Sequence, residues 1–279
     1  EDRENTLRTE LKNIGEFPAH EGRKKIIELA KEHVRRTSLV WAELGLAPLA
    51  MAIEHLSNLA TTSSNALAAG TVDDLANDYR SWGWKADDAV LRALASISSS
   101  EDLEAVTIVI RSIYLPWIEE SALYLQKIWD TNDNHVNRNI QAKDECILFI
   151  DGLRMDCAKR LIEVLEQKGL SIEEHLRWSA LPSLTGTGKY VVAPIDDTNC
   201  VKEEPEPYNF EPCTNYEFKK ALNAKGWTIA EKNTPYVKRS SLESPKLWNE
   251  YGNIDHEGHD RGWKLAKHLE SMVNEIGEN

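Results

Sequence analysis

The chain has 279 residues, 41% apolar, 28% charged and 8% aromatic, with a formal net charge of −13. That length suits one large domain or two ordinary ones, with enough apolar content for a buried core. The acidic balance argues against loose, charge-driven nucleic-acid binding and leaves room only for a local basic groove, and no apolar run reaches the roughly 18 residues of a membrane span.

Through the first half, apolar residues recur at helical spacing. Arg23 to Arg36 puts Ile26, Ile27, Leu29, Ala30 and Val34 on one side. Val40 to Ala60 reads as one helix, with Trp41, Leu44, Leu46, Leu49, Met51, Ile53, Leu56 and Leu59 inward. Val72 to Trp82 and Asp87 to Ile97 follow as two more, and Ser98-Ser99-Ser100 marks a helix end. Asp102 to Trp129 is a long helical stretch that opens on Asp102 and Glu104, where the helix dipole favours acid. Pro116 is expected to kink or split it. No β-type alternation interrupts this half. Residues 1–140 are therefore predicted to form an all-α domain that closes on a polar, Asn-rich linker, Thr131 to Asn139.

The pattern then changes. Cys146-Ile147-Leu148-Phe149-Ile150 is a short apolar run of the kind that forms a strand buried on both faces. It stops at Asp151-Gly152. Met155 to Lys168 predicts an amphipathic helix, with Ala158, Leu161, Ile162 and Leu165 inward and Gly169 as its C-cap. Strand, tight turn and helix open an α/β domain, assigned to residues 141–279. Further along, Lys202 to Pro212 is acidic and proline-rich and predicts an exposed loop. Asn215 to Lys225 predicts a helix, and Leu247 to Ile254 a short strand-like piece. Gly262 to Ile276 predicts a last helix, with Leu265, Leu269, Met272, Val273 and Ile276 on its apolar face.

The four cysteines, Cys146, Cys157, Cys200 and Cys213, form no C-x-x-C pair. A zinc ribbon or redox motif is not expected, and free thiols fit a cytoplasmic protein. The opening Glu1-Asp2-Arg3-Glu4 has no apolar stretch of the signal-peptide kind.

Three features carry chemistry. Asp151 stands where an apolar strand meets a glycine, and in parallel sheets the carboxyl ends of strands carry ligands. It is read as a metal ligand or base, or as turn and N-cap chemistry. Leu181-Pro182-Ser183-Leu184-Thr185-Gly186-Thr187-Gly188-Lys189 is a loop dense in hydroxyls and glycines. A cation or base can activate its hydroxyls, and Lys189 can neutralise a phosphate. It is not a P-loop, because Ser183 falls where the first glycine belongs and Tyr190 where a Ser or Thr is required. Asp255-His256-Glu257-Gly258-His259-Asp260 holds a carboxylate and an imidazole four residues apart. Such oxygen and nitrogen donors suit zinc or manganese. His256 between them is read as facing solvent, and His268 has no assigned role.

In this order the features resemble the PglZ family of the alkaline phosphatase superfamily. The resemblance rests on Phe149-Ile150-Asp151-Gly152-Leu153-Arg154-Met155-Asp156, on Trp178-Ser179-Ala180-Leu181-Pro182-Ser183-Leu184-Thr185, and on Ile254-Asp255-His256-Glu257-Gly258-His259. In the helical half, Ser38-Leu39-Val40-Trp41-Ala42-Glu43-Leu44-Gly45 and Tyr114-Leu115-Pro116-Trp117 resemble the region that precedes the hydrolase core in some members. The resemblance implies an α + α/β fold, in which an all-α domain precedes the first part of an alkaline-phosphatase-like core. It implies a metal-dependent phosphatase or phosphodiesterase in a bacterial phage-exclusion or phage-growth-limitation system. Two divalent metals are implied, zinc foremost, with manganese or magnesium as substitutes. Asp151 and Thr185 would hold one metal, with Thr185 as nucleophile, and Asp255 and His259 the other. Arg154, Lys189 and Ser183 would contact the phosphate ester, and Ser179 and Ser183 are the competing nucleophiles. The superfamily's later Asp-His-Gly motif and further histidine are not found after His259, so this chain alone is expected to turn over little substrate. Other phage-defence proteins are the expected partners. A non-catalytic scaffold of such a complex is the alternative.

Overall fold

The computed structural model describes residues 2–129, 146–176, 178, 183–195, 202–203, 210–211, 214–234 and 246–279. The linker expected at 131–139 and Ser179 lie outside the described residues. Helices dominate, accompanied by a small sheet of three parallel strands, in agreement with an α + α/β class. The chain divides into two compact units. One comprises Glu1–Asp130, Arg154–Glu163 and Glu257–Val273, the other Thr131–Leu153, Val164–His256 and Asn274–Asn279. Among the described residues no helix is long and apolar enough to cross a membrane.

The first unit opens with α1 (Asp2–Asn13), which the apolar spacing does not predict because only Leu7 and Leu11 mark its inner face. Next come α2 (Ala19–His33), α3 (Val40–Glu43), α4 (Pro48–Thr62), α5 (Val72–Asp78), α6 (Trp84–Ser96), α7 (Ser100–Ile113) and α8 (Leu115–Ile128). Helix α4 is central and packs against α1, α2, α6 and α7. It buries Leu49, Ala52, Ile53, Leu56 and Leu59 in the same core as Ala86, Ala89 and Ala93 of α6. Alanines on one helix let a neighbouring axis approach closely, which leaves room for leucines on the other.

Three boundaries differ from the periodic reading or sharpen it. The single helix expected over Val40 to Ala60 is two helices. Gly45 turns at φ +70, and Pro48 starts α4 at a position where its missing N–H is not needed. Trp41, Leu44 and Leu46 are consequently exposed rather than inward. The separate helices expected over Val72 to Trp82 and Asp87 to Ile97 join through a π-helical turn at Tyr79–Gly83. Pro116 does split the last stretch: α7 ends at Ile113, and Pro116 lies in the first turn of α8. Caps fix other ends. Thr71 and Asp74 form a capping box on α5, and the Ser99 hydroxyl accepts from the Asp102 N–H at the start of α7.

Later in the chain, β1 (Cys146–Phe149) leads through Asp151-Gly152 to α9 (Met155–Gln167), most of which belongs to the first unit. After it come α10 (Thr185–Val192), β2 (Lys202–Glu203), β3 (Phe210–Glu211), α11 (Asn215–Ala224), β4 (Thr228–Ile229), β5 (Leu247–Glu250), α12 (Ile254–Arg261) and α13 (Ala266–Glu278). Strands β2 and β3 form an antiparallel pair inside the stretch expected to be a loop. The main sheet has the order β1-β5-β4, with both pairs parallel and Phe149 opposite Glu250. Parallel pairing brings the carboxyl ends of the strands to one edge. The expected double burial of β1 is absent among the described residues. Ile147 and Phe149 pack on the core, while Cys146 and Leu148, on the other face, are exposed. Trp248 is fully buried, with Phe149 stacked at 5.8 Å and Phe218 edge-on at 5.4 Å.

The buried face of α9 is Asp156, Cys157, Arg160 and Leu161, whereas the expected Ala158, Ile162 and Leu165 are only half-buried. Ionic partners rotate the helix away from its apolar stripe. Arg160 donates from Nε to Asp88 at 2.8 Å and pairs with Glu270 at 3.5 Å.

Candidate functional site

Asp151 follows the sheet edge by two residues and is half-buried. The Gly/Ser/Thr stretch that reads as a loop becomes helical at Thr185, which opens α10. This puts the exposed Thr185 hydroxyl 3.1 Å from Asp151 Oδ1 and 3.2 Å from Oδ2. One O–H thus donates into the fork of a carboxylate, across 34 residues of sequence. The arrangement orients the hydroxyl, and the carboxylate can accept its proton when the oxygen attacks.

Gly152 has φ +74, and a Cβ built on it would lie 2.8 Å from the Asp255 N and 2.9 Å from its Cα. Only glycine meets both demands, the left-handed backbone and the approach of another main chain. The start of α12 therefore rests on the Asp-Gly turn, and Asp255 stands beside the end of β1. His259 comes four residues later on the same helix and is exposed, as is His256.

The remaining expected residues are placed differently. Ser183 is exposed just ahead of α10. Lys189, expected to neutralise a phosphate, is instead buried, with Nζ 2.5 Å from Glu250 Oε1. Arg154, expected to contact substrate, is engaged within the first unit. Its Nε donates to Asp156 at 3.0 Å, and its far nitrogen lies 3.8 Å from Asp87. Asp87 in turn accepts the hydroxyls of Tyr79 and Tyr114. Burial first, and then the Asp87 charge, push both phenols well above their ordinary pKa.

Sequence reasoning passed over Glu250 and Asp87. For Glu250 the signal was present: a carboxylate closing a short strand that opens on Leu247 and Trp248, close to the logic that singled out Asp151. Nothing local marks Asp87, since its partners lie on other elements.

Among the described residues no group of three or more His, Cys, Asp or Glu side chains is gathered as a metal cage. Catalytic zinc normally takes three protein ligands. Asp151, Thr185 and Asp255 offer hard oxygens that suit a divalent cation, but they are a partial donor set. No protein-family model, curated protein or solved structure matches the chain.

Proposed function

We propose that the chain carries the nucleophile end of a metal-dependent phosphoric-ester hydrolase site, of the PglZ type within the alkaline phosphatase superfamily and so of a phage-defence system. One observation carries the reading: the Thr185 hydroxyl is hydrogen-bonded to Asp151 at the carboxyl edge of a parallel sheet. Gly152 packed under Asp255 adds support, because it draws the second motif to the first. In this reading the Thr185 oxygen attacks the phosphorus as the bond to the ester's leaving oxygen breaks, and Asp151 orients the hydroxyl and accepts its proton. Asp255 and His259, one helical turn apart, would hold a second cation. Divalent cations, zinc foremost, would when bound supply the positive charge that favours the alkoxide form of Thr185. Each pair supplies two donors, where a catalytic zinc normally takes three protein ligands.

The test is calorimetric titration of the chain with Zn²⁺ and Mn²⁺, beside Asp151→Ala and Asp255→Ala. Hydrolysis of p-nitrophenyl phosphate and its bis ester is followed in the full natural reading frame. Metal binding weakened by each variant, with turnover abolished by Thr185→Ala, is the expected result. No metal binding and no turnover with either cation refutes the reading.

A second reading, a docking module of a defence complex, is favoured by one feature of the first unit. Val34, Leu39, Val40, Trp41, Leu44 and Leu46 are all exposed within 13 consecutive positions. Exposed apolar groups concentrated in this way mark interaction surfaces.

A further inference from the structure

We propose that Lys189 and Glu250 form a positioning pair that holds α10 so that Thr185 meets Asp151. The inference rests on the reading of Thr185 as the nucleophile, and it assigns the pair a role in the geometry of that site rather than in contact with substrate.

Helix α10 has little reason to be stable alone. It is eight residues long, and Gly186 and Gly188 lie in its first turn. Short helices are marginal in water, and glycine weakens them further. The hydrogen bond from Thr185 to Asp151 is exposed, so water competes for both partners. A single exposed bond does not fix the rotation of a helix.

Lys189 supplies the second attachment. It follows Thr185 by four residues and so lies on the same helix face, one turn along. Its side chain is 11% exposed and that of Glu250 22%. The ammonium also sits 4.8 Å from the ring centre of Phe218 and 5.8 Å from that of Phe149. Glu250 is fixed in turn by the indole N–H of Trp248, which donates to the same oxygen at 3.0 Å.

The dimensions match. Glu250 ends β5 and is paired in register with Phe149, two residues before Asp151. Adjacent strands are about 4.8 Å apart, and one helical turn rises about 5.4 Å. Residues one turn apart on α10 can therefore engage the ends of two neighbouring strands. Thr185 meets the end of β1, and Lys189 the end of β5. Two attachments on one rigid edge set both the rotation and the height of the helix. An apolar pair would fill the same space at less desolvation cost, but without direction.

The experiment compares the chain with Lys189→Met, Lys189→Arg, Glu250→Gln and the charge-exchanged double variant Lys189→Glu with Glu250→Lys. Lys219→Met, on the exposed face of α11, is the control. Amide hydrogen exchange is followed separately for residues 183–192 and for α11. Hydrolysis is measured in the same variants of the full natural reading frame. Lys189→Met and Glu250→Gln are expected to speed exchange in 183–192 by about tenfold or more, with α11 unchanged. Lys189→Arg and the double variant restore most of the protection. Turnover falls by about tenfold or more through kcat, with KM unchanged within about twofold, as expected when only orientation is lost. Unchanged exchange in 183–192 overturns the proposal, as does loosening that extends equally to α11. If α10 is released in the variants but the parent hydrolyses nothing, the hydrolase reading fails and the positioning pair stands. If the parent hydrolyses and Lys189→Met matches it, the pair is refuted and the hydrolase reading stands.

Discussion

Replacing Gly152 with alanine tests the junction on which the site depends. Two costs add at this position. The backbone is left-handed at φ +74, which costs an L-residue about 1–2 kcal/mol. The new Cβ would also lie 2.8 Å from the Asp255 N and 2.9 Å from its Cα, and these are main-chain atoms that cannot rotate away. Overpacking of this kind costs about 1–3 kcal/mol. Alanine restricts the unfolded chain and returns about 0.4–1 kcal/mol. The net expectation is a loss of about 1–4.5 kcal/mol. Gly169 is the matched control. It caps α9 at φ +83 and has nothing within 4 Å of the place a Cβ would take, so Gly169→Ala bears only the backbone cost. Urea unfolding followed by tryptophan fluorescence and circular dichroism gives both values. The Gly152 variant should fall short of the control by about 1–3 kcal/mol, and its Zn²⁺ affinity should drop because Asp255 is pushed from the end of β1. Equal losses in the two variants would refute the close approach of α12 to the Asp-Gly turn.

Two further outcomes follow from titratable groups drawn partly or wholly out of water. Burial foremost, with the neighbouring Arg92 and Arg160 charges, lowers the pKa of His55 against the opposing pull of Glu54 and Asp88. The unfolded chain therefore takes up a proton near pH 6.5 that the folded chain declines, and stability falls as pH drops below that point. His55→Gln should reduce the difference in melting temperature between pH 7.5 and pH 5.5, two values chosen to bracket about 6.5. His33, lowered in the same direction, keeps part of that difference. Burial pushes the Cys157 thiol up to about 12, with Asp156 adding to it. In a chain with Cys200 and Cys213 replaced by serine, Cys146 should react with a thiol reagent at about pH 8. Cys157 should react only after unfolding. Equal rates for the two cysteines would contradict the buried face assigned to α9.

Much of the architecture was legible in the sequence because it follows from local rules. Apolar spacing at Leu49, Ile53, Leu56 and Leu59 marks α4, since a helix in water must bury one stripe. The run Cys146 to Phe149, stopped by Asp151-Gly152, announces a strand and a turn that only glycine can make. The pairing of Asp151 with Thr185 was expected from a family resemblance, not from spacing. Periodicity misread segments where a single residue changes the backbone. Gly45 and Pro48 divide a continuous apolar pattern, and the π turn at Tyr79–Gly83 joins two patterns that look separate.

Tertiary structure alone decided the partners of charges. An arginine or aspartate carries no sign in the sequence of what will neutralise it, because the answer lies on another element. Arg160 turns α9 toward Asp88 against its apolar stripe, and Arg154 is taken up by Asp156 and Asp87. Lys189 reads as a phosphate contact until β5 is aligned with β1 and brings Glu250 beneath it. Which strands lie side by side is a long-range property, decided by the assembled sheet and not by any one strand's residues. The sequence by itself marked the amphipathic helices, though not α1, α10 or α12, and where chemistry-bearing groups stand along the chain. Which of those groups face each other was settled by packing, since burying a charge requires a partner that only the assembled fold can supply.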